Sequence, residues 1–278
     1  MIIALNHMVA PRRSHGTFFD LAVALGLSAV EIRNDLPAVA LRDGTPAATV
    51  GAAARARGVT ILSINALQRF NDWTAARAAE ARGLIAYAAG CGARALVLCP
   101  VNDAAFAPPE ADRLAGLRGA LRGLRPMLAD AGITGLIAPL GFAECSLRRK
   151  SEAVDAIDEI DASGTFALVH DTFHHHVAGQ DVMYPRHTGL VHLSGVVDPA
   201  LAPAAMRDPD RGLIDAHDRI GNLAQLRRLR RGRYDGPVSI EPFAPSLHNS
   251  PDIAADLRRS IDFIRTGLDD DAEENVFG

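Results

Sequence analysis

The sequence predicts one α/β domain, a single (β/α)8 barrel, on three observations. Short apolar runs rich in β-branched residues alternate eight times with longer Ala/Leu/Arg segments of helical period. No linker or change of composition divides the 278 residues, and a hydrophobic content of 48% is enough for one large core. Regular alternation of strands and helices favours a parallel sheet, and eight units favour a closed barrel over a doubly wound sheet with a second domain.

The individual elements follow from the apolar runs and from capping residues. Thr74 and Gly92 predict the start and end of one helix, and Pro109 and Gly132 those of the next. Residues 179–184 and 197–218 have no clear pattern, and the sixth helix is the least distinct. We assign residues 1–268 to the barrel and 269–278 to an acidic C-terminal tail, with docking onto a partner subunit as the alternative for that tail. The predicted strands are residues 2–6, 29–33, 60–65, 95–99, 135–140, 166–170, 190–193 and 238–241.

Charge and cysteine content exclude several classes of protein. The net charge of −4 provides no broad basic surface for nucleic acid or acidic lipid. No apolar run is long enough to span a bilayer, so we expect no membrane partner. The three cysteines are odd in number and lack Cys-x-x-Cys spacing. They predict reduced thiols in a cytoplasmic protein.

Lys150 is the only lysine among the 29 basic residues. It follows Arg148 and Arg149, so we interpret it as part of a solvated run of charges rather than as a buried amine. On this interpretation the chain has no candidate for Schiff-base chemistry, which needs a lysine of lowered pKa.

Three successive strands end in metal-ligand residue types. Asp171 directly follows the sixth predicted strand, and His192 and Glu241 lie at the ends of the seventh and eighth; the active sites of (β/α)8 barrels are built at these strand ends. Oxygen ligands with one nitrogen suit Mn²⁺, Mg²⁺, Co²⁺ or Zn²⁺. The sequence therefore predicts a divalent metal ion as cofactor.

The triplet His174, His175 and His176 is not a metal cluster, because consecutive side chains point in different directions in a regular backbone. We expect His174, three residues after Asp171, to face the substrate. His175 and His176 either have a structural role or hydrogen-bond to the residues that bind the metal.

Several other polar residues are candidates for substrate binding. Glu31, Asn65 and His7 either bind substrate hydroxyls or satisfy backbone groups at the barrel mouth. Arg211 lies in the long loop after the seventh strand, where it either reaches the substrate or pins the loop.

Six segments together resemble the xylose-isomerase-like TIM barrel superfamily, and within it the inosose isomerases. They are VEIR at 30–33, INAL at 64–67, VLCP at 97–100, DTFH at 171–174, VH at 191–192 and SIEPF at 239–243, spread over nearly the whole chain. The resemblance implies a divalent ion held by Glu, Asp, His and Glu from strands five to eight. Asp171, His192 and Glu241 match the last three positions.

The first of these four positions holds Ala138 instead of glutamate. In the family that glutamate is both a metal ligand and one of two catalytic bases, and Glu241 is the other. Two explanations are open: a substitution that inactivates an isomerase, or a natural divergence with changed chemistry. We favour the first, because the surrounding strand and loop keep the character of the family. Glu144 matches a position that contacts substrate in related ketose epimerases.

The resemblance implies a carbonyl shift on a cyclic polyol such as an inosose. A base removes a proton from the hydroxyl-bearing carbon, an enediolate forms, and the neighbouring carbon is protonated. Ketose 3-epimerase or hydroxypyruvate-type isomerase activity is the nearest alternative. The alternatives from other classes are a non-catalytic polyol-binding protein and an endonuclease IV-like nuclease, against which the acidic net charge argues.

Overall fold

A computed structural model describes residues 1–36 and 40–274, and the strands in these ranges form a closed parallel barrel in the order β1 to β8. This confirms the predicted fold class. The strands are β1 Ile3–Asn6, β2 Ala29–Arg33, β3 Thr60–Leu67, β4 Ala95–Leu98, β5 Thr134–Ile137, β6 Phe166–Asp171, β7 Thr188–Leu193 and β8 Val238–Ile240. The α-helices in these ranges are α1 His15–Ala24, α2 Ala40–Asp43, α3 Ala47–Arg55, α4 Ala75–Cys91, α5 Glu110–Ala131, α6 Lys150–Glu159, α7 Thr172–Val177, α8 Asn222–Arg231, α9 Pro245–His248 and α10 Ile253–Glu274.

The capping residues bound the helices as predicted. The Thr74 hydroxyl accepts a hydrogen bond from the Arg77 amide at the start of α4. Gly92 ends α4 with φ of 78°, and Gly132 ends α5 with φ of 65°, a left-handed conformation that glycine adopts without strain.

The core has an inner and an outer layer, because side chains alternate along each strand. Small residues such as Ala4, Ala95 and Ala138 fill the barrel interior, whereas larger ones pack between strands and helices. In β6, Leu168 belongs to the outer layer and Val169 to the inner one. The same alternation directs Asp171 into the barrel mouth and His170 towards the helices.

The first residues of the acidic run, 269–274, lie in the last turns of helix α10. Helix α10 continues to Glu274, because Leu268 still packs against the core and the following Ala and Glu residues favour helix. The last four residues of the predicted tail lie outside the described residues. Over the described parts of the chain, no helix combines the length and the apolar character that crossing a membrane requires.

The long loop between β7 and α8 contains two 3₁₀ helices, Pro203–Ala205 and Asp208–Asp210. Gly195 and Gly212 pin it to the end of β7 through two backbone hydrogen bonds, of 2.9 and 2.8 Å. A Cβ on Gly195 would lie 2.5 Å from the carbonyl oxygen of Leu213, so this approach requires glycine. The loop is thereby held over the barrel mouth immediately beside Arg211.

Candidate active site

A cavity of about 310 Å³ opens at the carboxyl ends of the strands, within the size range of small-molecule sites. One part of its wall is polar and another is apolar and aromatic. The wall includes all three residues predicted as metal ligands. Its main polar residues are Arg33, Asp35, Asn65, Asn102, Asp171, His174, His192, Asp208, Arg211 and Glu241, and its main apolar residues are Val97, Ala138, Leu140, Phe142 and Phe243.

Asp171, His192 and Glu241 form a buried group whose ligand atoms all lie within 4.8 Å of one another. Each comes from the end of a different strand or the residue just after it, β6, β7 and β8. Closure of the barrel brings these strand ends together. Such a group of two carboxylates and one imidazole could hold a divalent ion.

Both oxygens of Glu241 accept hydrogen bonds from protein groups. Oε1 accepts from Asn6 Nδ2 at 3.2 Å, Asn65 Nδ2 at 3.2 Å and Arg33 Nη1 at 2.8 Å. Oε2 lies 3.0 Å from Arg211 Nη2 and 3.1 Å from His192 Nδ1. Burial opposes ionisation, but His192, Arg211 and Arg33 hold the pKa of Glu241 well below its usual range.

Asp171 divides its two oxygens between a helix cap and the site. Oδ1 accepts hydrogen bonds from the amides of Phe173, at 2.9 Å, and His174, at 3.1 Å, and so caps α7. Oδ2 accepts from Arg211 Nη2 at 2.8 Å. Burial opposes ionisation of this carboxyl, yet Arg211 keeps its pKa below the ordinary value.

His192 lies between two carboxylates. Its Nε2 is 3.0 Å from Glu31 Oε1, and its Nδ1 is 3.1 Å from Glu241 Oε2. Burial alone would lower the pKa of His192, but the two glutamates raise it well above its ordinary value. Because a carboxylate only accepts hydrogen bonds, both ring nitrogens donate in this arrangement, and the imidazole is a cation.

Arg211 completes the cluster from the loop after β7, with only 2% of its side chain exposed. Its Nε donates to Ser194 Oγ at 3.0 Å, and its Nη1 to Asp208 Oδ1 at 3.1 Å. The guanidinium carbon lies 4.3 Å from the centre of the Phe243 ring. Arg211 is therefore fixed at the centre of the site.

The donor types in this cluster fit a divalent ion, but all three donors have protein partners. Arg211 Nη2 contacts the oxygens of Asp171 and Glu241 that lie nearest to His192 Nδ1. Three carboxylates, Glu31, Asp171 and Glu241, here face three cations, Arg33, Arg211 and His192. An ion can bind at these atoms only if it replaces the contacts of Arg211 and the proton on His192 Nδ1.

Ala138 and His174 both line the cavity. Ala138 directly follows β5 and belongs to the inner layer of the core, where a longer side chain would point into the site. His174 Nδ1 accepts a hydrogen bond from the Gly141 amide at 3.1 Å, which leaves Nε2 as the protonated nitrogen of the neutral ring. Burial keeps the pKa of His174 below its ordinary value.

The structure places three predicted substrate-binding residues away from the cavity wall. Glu31 is fully buried beneath it, where Ser63 Oγ donates at 2.6 Å and His192 also binds. His7 is completely buried, stacks on the Phe18 ring and contacts the Arg13 carbonyl oxygen at 2.9 Å. Glu144 lies on the loop after β5, outside the wall. Asn65 and Arg211, in contrast, line the cavity.

The prediction that Lys150 is a solvated charge is wrong. Lys150 begins α6 and is only 2% exposed, and its Nζ lies 2.9 Å from His170 Nδ1 and 2.8 Å from His175 Nδ1. His170 Nε2 in turn contacts Gln225 Oε1 at 2.9 Å. This cluster, which we call the lysine cluster, lies on the outer face of β6. It joins α6, β6, α7 and α8 behind Asp171.

The lysine cluster should give the free energy of unfolding a specific pH dependence. Burial lowers the pKa of Lys150 from 10.5 to about 7. Between these values the unfolded chain binds more protons than the folded chain, so stability should rise with pH by up to about 1.4 kcal/mol per unit. Urea unfolding at pH 7 and 8.5 should detect this rise in the wild type and not in Lys150→Met. The same pH dependence in both proteins would contradict it.

The fold and this strand-end site define a TIM-barrel protein whose functional groups lie at the carboxyl ends of the strands. A family model described as xylose isomerase-like TIM barrel matches residues 19–267, and the chain belongs to this family. No curated protein matches the sequence significantly.

Solved structures resemble the whole chain. A xylose isomerase domain-containing protein from Salmonella typhimurium LT2 is 33% identical, with 96% of each chain covered and a TM-score of 0.86. The IolI protein, in a structure with a bound zinc atom, is 17% identical over 96% of this chain and 98% of its own, with a TM-score of 0.82. D-psicose 3-epimerase from Clostridium cellulolyticum H10 is 15% identical over 96% and 99%, with a TM-score of 0.73. The last two similarities show the fold alone.

Proposed function

We propose that this protein is an isomerase that moves a carbonyl group between neighbouring carbons of a small, uncharged polyol ketone. The observation that carries the proposal is the convergence of Asp171, His192 and Glu241 on the wall of the cavity at the barrel mouth. Family membership, the zinc atom in the IolI structure and the epimerase activity named for D-psicose 3-epimerase support the same type of chemistry. An inosose remains the preferred substrate, because of the sequence resemblance to inosose isomerases.

The charges of the cavity favour an uncharged substrate. Arg33 is paired with Asp35 and Glu241, and Arg211 with Asp171, Glu241 and Asp208. The third arginine of the wall, Arg69, is paired with Asp72 and Asp103, so each of the three guanidiniums already has a carboxylate partner. Asn65, Asn102 and His174 supply polar groups for hydroxyls, while Phe142 and Phe243 provide an apolar surface for the face of a ring.

The chemistry requires a base and a means to stabilise the enediolate. A divalent ion held by Asp171, His192 and Glu241 would stabilise the negative charge on the two oxygens of the enediolate. In this proposal Glu241 takes and returns the proton, and the neutral His174 donates a hydrogen bond to a substrate oxygen.

Ala138 favours isomerisation over 3-epimerisation. Epimerisation removes a proton from one face of a carbon and adds one to the opposite face, which requires two groups. A carbonyl shift can move the proton along one face with a single base, although more slowly than with the two bases of the family pattern. With Ala138 in place of the expected glutamate, Glu241 is the single carboxylate base that the family pattern leaves on the cavity wall.

The test is proton exchange during turnover. The protein is incubated with Mn²⁺ in D₂O with a panel of ketoses and inososes, and the substrate is followed by NMR. We expect deuterium at the carbon next to the carbonyl and a product with a shifted carbonyl. A product inverted at the third carbon would favour the epimerase. No exchange with any compound, even in Ala138→Glu, would refute the isomerase.

A non-catalytic polyol-binding protein is the second candidate. It is favoured by the complete hydrogen bonding of Glu241, since a carboxylate with five donors is a weak base. Calorimetric binding of an inosose without deuterium exchange, in both wild type and Ala138→Glu, would support this candidate.

A further inference from the structure

The contacts of Arg211 imply a competition for the two carboxylate oxygens that a metal ion would need. The second oxygens of both residues are already used by other groups: Asp171 Oδ1 caps α7, and Glu241 Oε1 accepts from Asn6, Arg33 and Asn65. Only Asp171 Oδ2 and Glu241 Oε2 are turned towards each other and towards His192 Nδ1. Arg211 Nη2 contacts both, at 2.8 and 3.0 Å.

We propose that Arg211 is an internal cation that takes the place of the metal ion, so that the ion binds only when the Arg211 side chain leaves Asp171 and Glu241. The inference rests on the proposed function, because it concerns the metal site named there. It adds a residue that sets the affinity for the ion and couples metal binding to the loop after β7.

The side chain of Arg211, rather than its backbone, is the part that must move. Its carbonyl oxygen accepts hydrogen bonds from the amides of Phe243, at 2.7 Å, and Ala244, at 2.8 Å. The neighbouring Gly212 is paired with Gly195, two residues after the end of β7. The backbone is thus tied to the segments after both β7 and β8.

Asp208 provides a place for the guanidinium to go. It begins the 3₁₀ helix Asp208–Asp210, its carboxylate is 3.1 Å from Arg211 Nη1, and 45% of its side chain is exposed at the cavity mouth. A rotation of Arg211 towards Asp208 would keep one ion pair and release the two buried oxygens. Asp208 also belongs to the cavity wall, so a substrate could contact the displaced guanidinium.

The test is the affinity of the full-length protein for Mn²⁺ alone, measured by calorimetry and by the electron paramagnetic resonance signal of free Mn²⁺. Arg211→Gln removes the competing cation and should tighten binding by about tenfold or more, the scale of effects from groups around a metal site. Binding should be lost again in the double variant Arg211→Gln/His192→Asn, which places the ion at this cluster.

Arg33→Gln is the matched control. It removes an equal charge from Glu241, but at Oε1 rather than at Oε2. If the arginines act only through their charge, the two variants should gain similar affinity for Mn²⁺. If Arg211 occupies the position of the ion, only Arg211→Gln should show a clear gain. Equal gains would overturn the proposal.

Asp208→Asn tests the place to which the guanidinium would move, at a residue that is half-exposed. Loss of a nearby negative charge should weaken cation binding in general, and to the same extent with or without Arg211. Because Asp208 receives the displaced guanidinium, competition predicts that Asp208→Asn weakens Mn²⁺ binding by about two- to fivefold in the wild type and not in Arg211→Gln. An equal loss in both backgrounds would overturn the competition and leave the metal site intact. Arg211→Met, which keeps the contact with the Phe243 ring, serves as the background if Arg211→Gln fails to fold. No Mn²⁺ binding in the wild type or any variant would overturn both the competition and the metal part of the proposed function.

Discussion

Replacement of Ala138 by glutamate is expected to raise the rate of deuterium exchange into the substrate by about 10²–10⁴-fold, the usual contribution of one positioned acid or base. The Ala138 side chain lies in the inner layer of the barrel and on the cavity wall, so a glutamate there points into the site. It supplies both a second base and a fourth ligand for a divalent ion. The measurement is NMR of an inosose in D₂O with Mn²⁺.

The control for this prediction is Ala138→Gln, which has nearly the same shape but no basic carboxylate. An increase in Ala138→Glu that Ala138→Gln does not share would assign the effect to the charge and the base. Equal exchange rates in the two variants would show that position 138 affects packing rather than chemistry. They would also remove the interpretation of Ala138 as an inactivating substitution.

Glu241→Gln is expected to abolish exchange and to lower the free energy of unfolding by about 3–5 kcal/mol, since removal of one partner from a buried ion pair leaves the other charge uncompensated. The carboxylate contacts Arg33, Arg211 and His192, all of them buried. Glutamine keeps the size of the side chain and removes the charge. Urea unfolding at pH 7 measures the stability change.

Asp20→Asn is the matched control for that experiment. Asp20 also pairs with an arginine, Arg57, but 59% of its side chain is exposed. A surface pair of this kind contributes little to stability, because water and salt screen its charges. The contrary outcome is that Glu241→Gln lowers the free energy of unfolding by no more than Asp20→Asn does. In that case Glu241 does not balance the buried cations, and the description of the cluster as three carboxylates facing three cations is wrong.

The barrel and the convergence of three site residues could be predicted because both depend on local periodicity. Apolar runs mark the strands, and parallel strands in a closed barrel present their carboxyl ends on one face. Asp171, His192 and Glu241 each lie at such an end or directly after it, so their mutual proximity followed from topology alone.

Contacts that depend on long side chains or irregular loops could not be predicted in the same way. Arg211 reaches the site from a loop without periodicity, and its position depends on the Gly195–Gly212 pairing. Lys150 follows two arginines in the sequence, yet its side chain turns inwards because two imidazole nitrogens provide partners. Glu31 and Arg33 are two positions apart in β2, so their side chains point to the same face of the strand. This spacing was the available signal that both side chains point into the barrel.

The Asn6–Glu241 hydrogen bond links the order of folding to the formation of the site. These residues are separated by 235 positions, and their contact exists only when β1 pairs with β8. Contacts of such large sequence separation carry a high loop-closure entropy, and this one forms only when the first and last strands meet. In any intermediate where the first and last strands have not met, Glu241 lacks its contacts with Asn6 and Arg33. The hydrogen bonds of Glu241 with Asn6 and Arg33 are thus complete only in the closed barrel, and any opening between β1 and β8 breaks them.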